Sequence, residues 1–142
     1  MDCDAKLGHP IAPCPVPRGR ALGPLDCGDV DVRILAANVA PTGSHASDES
    51  WITNSASIVL RLHREVEGSR FTAILTGDAT FDTERAMLSA YANEPAILDA
   101  DLLRVGHHGT DVTSSSDEWF AATTPRIAHA GLRGARRAHG WR

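Results

Sequence analysis

Apolar and polar positions alternate along residues 29–35. Val30, Val32 and Ile34 are interleaved with Asp29, Asp31 and Arg33. In an extended chain this puts apolar groups on one side and polar groups on the other, which predicts a half-buried strand. The pattern returns in residues 57–63, where Ile58, Leu60 and Leu62 fall on one face. A turn around Gly68 leads into residues 70–77, so the two stretches predict a β-hairpin. Residues 41–53, PTGSHASDESWIT, are polar and turn-rich and predict a loop. After Asp78 the period changes. Met87, Ala90 and Tyr91 stand at i, i+3 and i+4 and predict an amphipathic helix over residues 82–92, with Asp82 as its N-cap and Pro95 just beyond its end. A short apolar strand at residues 102–105 runs into Gly106. Ser115 followed by Glu118 has the spacing of a capping box and predicts a second helix, with Asp117 and Glu118 well placed in its first turn. Residues 126–130 form the last predicted strand. The order strand, strand, strand, helix, strand, helix, strand belongs to the α/β (α+β) class.

Residues 1–24 interrupt this patterning, holding five of the eight prolines. Proline lacks a backbone donor and fixes φ, so this segment is expected to be an extended lead-in. Residues 25–131 are then one partial domain, and residues 132–142 an irregular basic tail. With 142 residues the chain suits a single core, and 42% hydrophobic and 23% charged residues describe a globular protein. Against 14 basic residues stand 18 acidic ones, a net charge of -4, which argues against a general polyanion-binding surface. The arginines Arg133, Arg136 and Arg137 are expected to form a solvated tail. No apolar run approaches the roughly 20 residues of a membrane helix, and no secretory signal is visible, so a cytoplasmic location is expected. Cys3, Cys14 and Cys27 make neither a disulfide framework nor a CxxC zinc pair.

The candidate chemistry lies at strand ends. Asp78 follows one predicted strand in LTGDA; His107 and His108 follow another in VGHHG. Site residues gather at such ends because the backbone turns there and side chains enter a crevice. Carboxylate oxygen and imidazole nitrogen are donors suited to zinc. His9 and His45 stand alone in predicted loops, and His63 lies on the polar side of its strand beside Arg61. Trp51, Trp119 and Phe120 read as packing residues, and Ser114, Ser115 and Ser116 as helix-capping residues.

Taken together, SASIVLRL, FTAILTGDATFDTERAML and LDADLLRVGHHGTDVTSSS resemble the C-terminal half of metallo-β-lactamase-fold hydrolases. The likeness is to the branch containing the hydrolase domain of the competence protein ComEC. The motifs fall at Asn54 and Ser57, at residues 76–79 with Glu84, and at residues 106–110 with the serines 114–116. The resemblance spans about residues 29–131. It implies half of a four-layer αββα sandwich and a hydrolase that activates water with one or two zinc ions, manganese being a second possibility. Its substrate would be a phosphodiester in a small molecule or a nucleic acid. Asp78 would bridge the metals. One of His107 and His108 would lie at the metal and the other at the substrate. Family members carry a further histidine about thirty residues on in a YGHP-like motif; His139, in RAHGWR, stands near that place without the tyrosine or the proline.

The chain departs from the family at its other end. The first metal ligands there come from an HxHxDH- or HxDxDH-type motif, and no Asp–His pair occurs in this sequence. Three protein ligands plus water make a stable catalytic zinc site. The isolated chain is therefore expected to bind metal weakly and to turn over little substrate. Its sheet is expected to expose an apolar face, open to a second copy of the chain or to a separate N-terminal half. The alternative reading is thus an inactive interaction or assembly module. A third is a small binding domain in which GHHG is a chance loop.

Overall fold

A computed structural model describes residues 30–110 and 112–131. Five strands form one mixed sheet in sequence order: β1 (Val30–Ala36), β2 (Val59–Val66), β3 (Ser69–Leu75), β4 (Leu102–Arg104) and β5 (Ile127–His129). The first three are antiparallel, and β4 and β5 continue parallel to β3. Three helices connect them: α1 (Glu49–Ser55), α2 (Phe81–Ala90) and α3 (Asp117–Thr123). The α/β class and the predicted strand and helix order are borne out, with α1 in addition. The hairpin turns at Glu67 and Gly68, which both have positive φ (50° and 77°), as a tight hairpin turn demands.

The core lies on one face of the sheet. Val59, Ile74 and Leu103 meet Met87, Tyr91, Leu98 and Trp119, all buried. A bulge between Ile34 and Ala36 turns Leu35 into this core, and the Tyr91 hydroxyl donates to the Leu35 carbonyl at 3.1 Å. The opposite face carries a row of five apolar residues in register across all five strands: Val32, Leu62, Ala73, Leu102 and Ile127. None of them belongs to the helix-side core cluster; Val32 and Ala73 are nevertheless buried, Leu62 and Leu102 are half-buried, and Ile127 at the sheet edge is 60% exposed. The alternation seen in β1 and β2 therefore marks the face away from the helices, apart from Leu35 at the bulge. Among the described residues there is one sheet with helices on one side.

Residues 41–53, predicted as a loop, contain a short 3-10 turn (Gly43–His45) and most of α1. Apolar periodicity does not announce this helix, because a cap and a tertiary anchor hold it. The Asp48 side chain accepts from the Trp51 N–H at 3.0 Å. The Trp51 indole N–H donates to Asp82 Oδ2 at 2.7 Å.

The predicted N-caps are corrected by one or two residues. Thr80, not Asp82, precedes α2, and Asp82 sits in the first turn as a buried acceptor for Trp51, Thr42 and Arg85. Ser116, not Ser115, caps α3, its hydroxyl accepting from the Trp119 N–H at 3.2 Å. Ser115 instead takes a positive φ of 73°. This turns the N–H groups of Ser115 and Ser116 together onto the Glu84 carboxylate at 2.5 and 3.0 Å. Glu84 thus fills the role that the capping-box spacing assigned to Glu118.

Candidate functional site

Parallel pairing of β3, β4 and β5 brings their C-terminal ends to one edge of the sheet. The TGD turn leaves β3 there, the GHHG segment leaves β4, and Ala130 and Gly131 leave β5. The first two loops are joined through the backbone, the His107 N–H donating to the Gly77 carbonyl at 3.2 Å. They also pack too closely for a side chain at Gly106, where a Cβ would stand 2.7 Å from the Ala79 carbonyl oxygen. Ser57 completes the support. Its hydroxyl accepts from the Asp78 N–H at 3.1 Å and touches the side of Gly77.

These constraints bring the Asp78 and His108 side chains together. His108 Nε2 lies 3.8 Å from Asp78 Oδ1, with the two side chains 38% and 44% exposed. His107 points elsewhere. Its Nδ1 is hydrogen-bonded to Thr113 Oγ1 at 2.7 Å, and its ring centroid is 6.3 Å from that of His108. Both histidines have left-handed backbone (φ 44° and 60°), as does Gly109 (φ 81°). Consecutive left-handed residues without glycine cost roughly 1–3 kcal/mol each and cluster at functional sites. Here they aim the two rings in different directions, a choice that the sequence leaves open.

The serine-rich turn braces this edge from behind. The Ser114 hydroxyl donates to the Gly106 carbonyl at 2.8 Å, and the Ser116 hydroxyl donates to Glu84 at 2.8 Å. Glu84 is fully buried, and burial pushes its carboxyl above the usual range even though three donors favour the charged form. Two residues earlier Asp82 behaves oppositely. Burial alone would raise it, but hydrogen bonds from Trp51 and Thr42 and the charge of Arg85 outweigh this and hold it below the usual range. His45 stacks on Trp51 at 3.7 Å beside Asp82. His63 is hydrogen-bonded to Thr72 and lies away from the site. His139 lies outside the described residues, as do His9, the three cysteines, the lead-in and the basic tail.

Asp78 and His108 present an oxygen and a nitrogen donor of kinds that a divalent metal accepts, at a spacing of 3.8 Å. Two donors on one tetrahedral zinc stand about 3.3 Å apart, and small rotations of two half-exposed side chains close the difference. They do not fill a coordination sphere. Among the described residues no three metal-binding side chains gather at one point, and no helix is long and apolar enough to cross a membrane. Arg104 and His129 also stand at this edge, and no motif or spacing in the sequence marks either; Arg104 is there only a lone cation ending an apolar strand. Compared with known proteins, the chain matches no family model and no curated protein.

Proposed function

We propose that this chain carries part of a metal-dependent hydrolase site, with Asp78 and His108 as two donors to a divalent cation, zinc or manganese. The observation that carries the reading is the 3.8 Å approach of Asp78 Oδ1 to His108 Nε2 on neighbouring loops at the sheet edge. The ordered motifs that resemble the metallo-β-lactamase fold, and its ComEC branch in particular, support the same reading. So does the sheet with helices on one face, which is what one half of a four-layer sandwich would look like. A zinc ion so held would lower the pKa of bound water toward about 7 and supply a hydroxide for attack. Asp78 contributes negative charge at the site. His107, its Nδ1 bonded to Thr113, stands close by on the chain and would face a substrate through its Nε2. A phosphodiester is the substrate class the resemblance favours, on analogy alone.

Two donors hold a metal weakly, so the described residues make an incomplete site. Calorimetric titration with Zn²⁺ tests the reading. Weak binding by the wild type, reduced at least tenfold in Asp78→Asn and in His108→Ala but not in His63→Ala, supports it. Equal affinity in all four proteins contradicts it. The second reading, an assembly module, is favoured by the apolar row Val32, Leu62, Ala73, Leu102 and Ile127, which lies outside the core cluster and ends in exposed Ile127. A second copy or a separate N-terminal half would be its partner.

A further inference from the structure

Arg104 differs from most of the other described arginines. Arg33, Arg70, Arg85 and Arg126 each have a carboxylate within ion-pair distance, at 2.9, 3.6, 2.8 and 3.7 Å. Arg104, half-buried at the end of β4, has none among the described residues. Its guanidinium makes one hydrogen bond among them, a long one from Nη1 to the Gly77 carbonyl at 3.4 Å. A guanidinium has five donors in a planar fork, so the described residues leave most of its hydrogen-bonding capacity unspent. Its position matters more. Gly77 is the residue before Asp78, and the guanidinium therefore sits beside the metal-donor loop. Gly131 ties it to His108 as well. A Cβ there would lie 2.9 Å from His108 Nδ1 and 3.7 Å from Arg104 Nη2, so both side chains border the space that glycine leaves open. His129, the register partner of Arg104 on β5, shares its face and adds an exposed imidazole.

We propose that Arg104, flanked by His129, is an anion subsite that binds a phosphate group next to the Asp78–His108 pair. This deepens the hydrolase reading and rests on it for the claim that the anion is part of a substrate. A planar fork matches two oxygens of a phosphate, and a half-buried guanidinium gains more from such a pair than an exposed lysine does. Asp78 opposes an anion here, and a divalent cation on Asp78 would offset that repulsion.

Inorganic phosphate is the probe, titrated into the metal-free full chain while arginine Nε–H and histidine signals are followed by NMR. A saturable shift of the Arg104 Nε–H signal is expected. Affinity should fall at least tenfold in Arg104→Gln, less in Arg104→Lys, and not at all in Arg126→Gln, whose backbone spectrum provides the folded control. Phosphate binding that is unchanged in a folded Arg104→Gln protein, or that does not saturate in the wild type, overturns the subsite. Should Arg104→Gln prove unfolded, Arg104→Lys decides: an affinity equal to wild type counts against the fork. The Zn²⁺ titration with Asp78→Asn is separate. If zinc ignores Asp78 while phosphate still needs Arg104, the hydrolase reading fails and the anion site stands.

Discussion

Asp78 Oδ1 and His108 Nε2 stand 3.8 Å apart although thirty residues separate them, because two parallel strands deliver their loops to one sheet edge. The approach depends on backbone fit as much as on side chains. Gly106 passes the Ala79 carbonyl where a Cβ would be 2.7 Å away, and its neighbours cannot yield without moving backbone. Gly106→Ala is expected to destabilise the fold by roughly 1–3 kcal/mol, the usual cost of overpacking. Urea denaturation checks this. A variant as stable as the wild type would show that the two loops are less tightly joined than described.

Asp82 fastens α1 and the 3-10 turn to α2. Its carboxyl is held below the ordinary value of 3.8, so its contribution to stability is present above that value and is lost as pH falls through the lower folded pKa. Asp82→Asn is expected to cost roughly 1–3 kcal/mol near neutrality through weakened charge-assisted bonds. The gap to wild type should shrink below about pH 3.8. Denaturation midpoints measured at pH 3 and pH 6.5 test both the size and the sign.

Glu84 should show the reverse dependence. Its folded pKa is raised above 4.5, so the stability linked to it is fully present below 4.5 and is lost as pH rises through the folded value. Glu84→Gln lacks this loss. The advantage of wild type over Glu84→Gln is therefore expected to be greatest at pH 4 and smaller at pH 7. A gap that grows with pH would mean that the three hydrogen bonds from Ser115 and Ser116 outweigh burial.

How much of this was legible beforehand depends on what holds each element. β1 and β2 declare themselves by alternation, and β3 follows from the turn at Gly68. α2 is visible in the spacing of Met87, Ala90 and Tyr91. α1 is not, because Asp48 and the Trp51–Asp82 bond hold it where no apolar stripe exists. The caps were misplaced because Asp82 and Ser115 serve long-range partners, and spacing along the chain carries no record of those. The acidic and histidine loops could be read as neighbours from their places at strand ends. Which histidine faces Asp78 could not, since left-handed backbone at His107 and His108 decides it.

The sheet face away from the helices is exposed in part, around buried Val32 and Ala73. Phe71 is 49% and Ile127 60% exposed on it. An apolar patch of this kind drives association, so the chain is expected to self-associate at micromolar concentration. Phe71→Lys and Ile127→Lys together should reduce this with a change in folding stability within about 0.5 kcal/mol. Sedimentation velocity provides the measurement. A wild type that stays monomeric would show that the face is protected.

If Asp78 and His108, rather than His107, face one cation, Zn²⁺ titration followed by the imidazole nitrogen signals will show it. The His108 Nε2 signal is expected to move first and saturably, with His107 Nδ1 still bonded to Thr113, and the response should vanish in Asp78→Asn. A first response at His107, or a His108 response indifferent to Asp78, would rule out the Asp78–His108 pair as the cation's donors.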